Sequence, residues 1–178
     1  MECKPADSKA PEIMIERALD WLNYVFQLKF GESLLREHSE TDNLKVQIHR
    51  FRGIDESGLR SLAKDLVKYS IERMDKRSLI DSLGLTNSNL GTLKLLQSLL
   101  SKYTDEQYAH DRMTPLFGAY DLRVADAHLS SSDVEECYSK LSVDRSAPFV
   151  HQAMQLIDSV QKAFGISGAE LKRHAPDK

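Results

Sequence analysis

Residues 114–128 read T-P-L-F-G-A-Y-D-L-R-V-A-D-A-H, an apolar helical pattern that closes on a histidine and carries an arginine five positions before it. Threonine followed by proline is a start signal, because proline suits the first helical turn. The spacing therefore predicts a helix from Thr114 to about His128. At about 100° per residue, Leu116, Ala127, Tyr120, Val124 and Phe117 share one apolar stripe, and Arg123 and His128 flank it about 140° apart. Two side chains so placed do not touch within one helix. They would converge only if two copies met along the stripe.

The same periodicity governs the flanking sequence. Ile13, Ile15, Ala18, Leu19, Leu22, Val25, Phe26 and Phe30 predict a long first helix, which Gly31 ends or bends before Glu32 to His38. Trp21, Tyr24 and Leu28 fill further positions around it, so packing on more than one side is expected. Ser57 and Gly58 open a helix carrying Leu59, Leu62, Leu66, Ile71 and Met74, with Lys64, Asp65, Lys68, Glu72 and Arg73 on its solvent face. Ser78 to Leu83 is a short helical turn ended by Gly84. Ser88 or Asn89 caps a leucine-faced helix holding Leu90, Leu93, Leu96, Leu99 and Leu100. Thr104 and Gln107 form a capping box for a separate short piece with Tyr108, His110 and Arg112, and Ser132 with Glu135 forms another for Asp133 to Leu141. Ser146, with Pro148 in the first turn, opens a last helix that ends at Gly165.

An all-α bundle of six or seven helices follows. One stretch breaks the pattern: Leu44, Val46 and Ile48 alternate with Lys45, Gln47 and His49, which predicts a short extended segment near residues 44–51. The expected organisation is a lead-in at 1–8, one helical-bundle domain at 9–166 and a polar tail at 167–178.

Composition fits this class. The chain has 178 residues, 41% hydrophobic and 29% charged, enough for one sizeable core. A net charge of -3 excludes a global attraction to nucleic acid or anionic membrane, so any RNA binding needs a local patch. Cys3 and Cys137 lie far apart with no C-x-x-C spacing, which points to reduced thiols and to neither a disulfide framework nor a zinc site. No apolar run approaches the ~20 residues of a membrane span. The start, M-E-C-K-P-A-D-S, is too polar and acidic for a signal peptide, and a cytoplasmic protein is expected. No glycine-rich nucleotide motif, H-E-x-x-H or G-x-S-x-G is present, so neither a cofactor nor a metal is expected.

The segment Tyr120 to Leu129 resembles the HEPN superfamily of small helical bundles, whose ribonuclease members carry arginine, four to six intervening residues and histidine late in a helix. Here V-A-D-A separates Arg123 from His128, and the helices from Ser57 to Gly165 fit such a bundle in outline. The resemblance implies a metal-independent endoribonuclease acting as a homodimer in an RNA-targeting, phage-defence or toxin system. It implies that His128 assists attack of the ribose 2′-hydroxyl or protonates the leaving oxygen, and that Arg123 stabilises charge on the phosphate. Asp126, one turn from Arg123, would orient it. Val124 departs from the pattern, since asparagine, aspartate or histidine is common there in active members. RNA, a cognate antitoxin or other domains of a longer protein are the implied partners.

A second local feature is His49, Arg50 and Arg52 interleaved with Phe51, a basic and aromatic cluster suited to RNA phosphate and base. The competing reading of the chain is a non-catalytic helical dimerisation or interaction module. In that case His128 answers the helix dipole, and Arg123 with Asp126 is an ordinary ion pair.

Overall fold

Pro11 at the first helical position and Glu12 in the first turn begin α1 (Pro11–Phe30). Gly31 ends it at φ 82°, donating its N–H to the Gln27 carbonyl. The computed structural model describes residues 10–37, 39–128 and 131–174, with backbone alone for 125–128 and 131. After α1 come α2 (Thr41–Gln47), α3 (Glu56–Tyr69), α4 (Lys76–Ser82), α5 (Thr92–Ser101), α6 (Glu106–His128), α7 (Ser131–Lys140) and α8 (Phe149–Arg173). Among the described residues the fold is thus all-α, with eight helices, 3₁₀ turns at 50–52 and 71–73, and one isolated antiparallel bridge between Leu35 and Met74.

Short acidic side chains set several starts. Asp55 accepts from Gly58 N at 2.7 Å, Asp75 from Ser78 N at 2.8 Å and Asp105 from Tyr108 N at 3.1 Å. These aspartates, and not Ser57 or Thr104, do the capping. Gly91, and neither Ser88 nor Asn89, caps α5.

α6 is central: α3, α5, α7 and α8 all pack on it, while α8 lies along α1. Its buried face is Ala109, Met113, Leu116, Ala119 and Leu122. That face runs across Pro115, so the expected break at Thr114 does not occur and the short piece at 106–112 is the first part of one 23-residue helix. A proline inside a helix costs about 3 kcal/mol. Burying Met113 and Leu116 on either side of it contributes roughly 1.5–3 kcal/mol each, which outweighs the loss.

The extended segment expected at 44–51 is instead α2 followed by a 3₁₀ turn. Leu44 and Ile48 are buried and Val46 is 77% exposed, so the buried residues are four apart, a helical spacing. Among the described residues no sheet edge is available to pair a strand, and a helix satisfies its own N–H and C=O groups. His49 alone keeps an extended conformation, φ -148° and ψ 149°.

The last helix does not stop at Gly165. Residues 167–173, expected as the start of a polar tail, continue α8, with Ser167, Gly168, Glu170 and Leu171 buried. Phe164, Gly168 and Leu171 fall on one stripe, and burial along it outweighs the glycine penalty. Gly168 lets the helices approach closely: a Cβ there would sit 2.6 Å from Trp21 Cδ1 and 3.3 Å from Leu22 Cα. Among the described residues the expected packing of α1 on a second side is only partial: Leu28 is half-buried and Trp21 lies against Gly168. Trp21 and Tyr24, stacked with centroids 6.1 Å apart, are 37% and 56% exposed.

Candidate functional site

Arg123 lies within the last two turns of α6, where the helix passes the 3₁₀ turn Ile71–Arg73. Its Nη2 is 2.6 Å from Glu72 Oε1, and both side chains are about one-third exposed, at 30% and 35%. The guanidinium also lies over the Tyr120 ring, 5.5 Å from its centroid. Periodicity places Glu72 on a solvent face and offers no sign of this pairing, because α3 and α6 come together only through the core.

Beside Arg123 is a groove of about 410 Å³ lined by Ile71, Leu93, Lys94, Phe117, Tyr120 and Asp121, among others. Lys94 Nζ sits 4.8 Å from the Phe117 ring centroid. The predicted apolar stripe is therefore divided. Leu116 is in the core, Phe117 is half-buried, and Tyr120 and Val124 are 40% and 51% exposed. Asp121, at the edge of the groove, pairs with Lys140 of α7 at 3.1 Å.

His128 closes α6, and the side chains of Asp126 and His128 lie outside the described residues. The expected Arg123–Asp126 pairing falls there too. Arg123 has Glu72 as its partner in any case.

The cluster at 49–52 is built differently from the open patch the sequence suggests. Glu12 accepts from Arg50 at three points: backbone N at 3.0 Å, Nε at 2.7 Å and Nη2 at 2.8 Å. Arg52 pairs with Asp65. Both guanidiniums are thus engaged within the chain, Phe51 points outward at 69% exposure, and His49 is half-buried. His110 and Arg112 lie on exposed parts of α6, where His110 stacks on Phe117 at 6.5 Å and Arg112 covers the Tyr108 ring at 4.8 Å.

The Glu12–Arg50 fork predicts an acid sensitivity. Burial pushes the Glu12 carboxyl up, but the hydrogen bonds from the Arg50 side chain and backbone, with its charge, prevail and hold it at about 2, against 4.5 for the ordinary group. A depressed folded-state value means stability that is complete above about pH 5 and lost as pH falls toward 2. After allowance for solvent screening, about 1–2 kcal/mol is expected to disappear in that window. Urea unfolding at pH 6 and pH 3 checks it: Glu12→Gln should flatten part of the difference, and an unchanged pH dependence would remove the fork from the account.

Among the described residues no group of three or more histidine, cysteine, aspartate or glutamate side chains is placed to hold a metal ion. Cys137 is buried between α6 and α7, and burial, then the charge of Asp121, pushes its thiol up from the ordinary value. No described helix is long and apolar enough to cross a membrane. Comparison with protein-family models, curated proteins and solved structures finds no match to this chain.

Proposed function

We propose that this chain is a HEPN-like helical domain that binds RNA and, as a homodimer, cleaves it without a metal ion. The observation that carries this reading is the setting of Arg123. It lies near the end of α6, on which α3, α5, α7 and α8 all pack, part-exposed, beside the solvent-facing Tyr120 and Val124. Tyr120 and Val124 supply the apolar surface along which a second copy would bring its own Arg123 and His128 to the same cleft. In this reading His128 handles the proton of the 2′-hydroxyl or the leaving oxygen, and Arg123 exchanges Glu72 for the phosphate. The setting would be an RNA-targeting, phage-defence or toxin system in the cytoplasm. A cognate antitoxin or the further domains of a longer protein would be the partners.

A second reading, a non-catalytic helical dimerisation or interaction module, is favoured by the 2.6 Å ion pair between Arg123 and Glu72, which gives the arginine a structural role.

Labelled single-stranded RNA incubated with the chain in chelator separates the two. Cleavage is expected from the parent chain and is expected to fall about 100-fold or more in His128→Ala. Val124→Glu, which puts a charge on the dimer stripe, should sediment as a monomer and lose cleavage as well. Intact RNA together with a dimer that Val124→Glu dissociates would select the interaction module. Cleavage that His128→Ala leaves unchanged would remove His128 from the mechanism.

A further inference from the structure

The bridge between Leu35 and Met74 sets two arginines against each other. Arg36 N donates to the Arg73 carbonyl at 2.8 Å, and Arg73 Nε donates to the Arg36 carbonyl at 3.2 Å. Each guanidinium is steadied by a further carbonyl: Arg36 Nη2 reaches that of Glu72 at 2.8 Å, and Arg73 Nη1 that of Tyr69 at 3.4 Å. Arg73 also lies over the Tyr69 ring, 5.4 Å from its centroid.

Carbonyls orient these forks without neutralising them. Among the described residues, none of Arg36, Arg73 and the neighbouring Lys68 forms an ion pair with a carboxylate. Like charges facing each other across an antiparallel pair are destabilising. Here both arginines lie on the wall of one groove, with their guanidiniums held by carbonyl oxygens. The groove measures about 410 Å³, and Glu37, Glu40 and Glu72 line it together with the three cations. The three carboxylates offset the three cations in formal charge, so donor geometry has to confer any selectivity. A guanidinium fork matches two phosphate oxygens at once.

Glu72 joins this groove to the α6 site. Its backbone carbonyl holds Arg36 and its carboxylate holds Arg123. We propose that Arg36 and Arg73 form a seat for a phosphate of an RNA strand that next meets Arg123. This rests on the RNA reading given above and extends it from one residue to a track. Binding by a strand draws Arg123 away from Glu72, so Glu72 acts as the resident anion that the RNA displaces.

The test is anisotropy of a 5′-labelled oligouridylate with the full chain carrying His128→Ala, which keeps the RNA intact, in chelator at low salt. Joint Arg36→Gln and Arg73→Gln, which keeps donors and removes both charges, is expected to weaken binding about tenfold or more. It should also lower the slope of log affinity against log salt by about 0.7 for each phosphate left without its cation. Arg36→Ala, at an exposed position, repeats the test without disturbing the core, and Glu72→Gln is expected to tighten binding. Parent-like affinity in both arginine variants overturns the seat. So does an absence of RNA binding, or binding of inorganic pyrophosphate without RNA. Failure of the nuclease reading is separate: parent protein that binds RNA through these arginines and cleaves none of it leaves the seat in place and removes only the catalysis.

Discussion

Phe26→Ala is expected to cost about 3–5 kcal/mol, the largest loss from any single truncation in α1. Phe26 is fully buried, and its ring meets that of Phe30 with centroids 4.7 Å apart at 51°, so alanine removes both the burial and an aromatic pair. The cavity opens beneath the most extensive helix-to-helix packing of the bundle, between α1 and α8, where neither helix can collapse inward without disturbing the other. For a chain of this size, a midpoint roughly 10–15 °C lower should follow. Tyr24→Ala, two residues earlier on the exposed face, is expected to change stability by less than about 1 kcal/mol. Thermal and urea unfolding of the two variants decide the matter. Equal losses would mean that the outward face of α1 is covered in solution.

Gly118→Val is expected to separate α7 from α6. A Cβ at Gly118 would stand 2.8 Å from Lys140 Cβ, 3.0 Å from the Cys137 carbonyl oxygen and 3.2 Å from Leu141 Cγ. The carbonyl is backbone, it already accepts from Leu141 N at 3.1 Å, and it cannot turn aside as a long side chain can. Overpacking of this kind costs about 1–3 kcal/mol and more where backbone must shift. Faster amide exchange confined to α7 and the end of α6 is the expected signature, with α1 and α8 little changed. Gly165→Ala gives the contrast. Its Cβ would meet nothing within 4 Å, so alanine should stabilise α8 by about 0.5–1 kcal/mol. If Gly118→Val left the exchange of α7 unaltered, the close approach of these helices would be wrong.

These two glycines illustrate how far local patterns reach along the chain. Periodicity is local, and it is enough to place α1, the start of α3, α5, α7 and the start of α8 within a few residues and to assign an all-α bundle, whereas the helix expected to carry Ile71 and Met74 ends at Tyr69 and gives way to a 3₁₀ turn. Periodicity fails where a helix is held by what lies against it. Pro115 and Gly165 both carry strong stop signals, yet α6 and α8 continue through them because Met113 with Leu116, and Phe164 with Leu171, bury the same face on either side. At 44–51, the alternation of Leu44, Val46 and Ile48 is also a pair of apolar residues four apart, and burial chose the second pattern.

The candidate site divides in the same way. The arginine and the histidine of residues 114–128, their helix and their five-residue separation are properties of the sequence alone. So is the absence of a large net charge to draw in a polyanion. Only the tertiary structure decided that Arg123 meets Glu72, that Arg50 and Arg52 meet Glu12 and Asp65, and that Arg36 and Arg73, 37 residues apart, face each other held by carbonyl oxygens. The reason is physical. Helix formation follows from neighbours three and four residues apart, whereas an ion pair between distant residues exists only after core packing has set two backbones at a fixed separation.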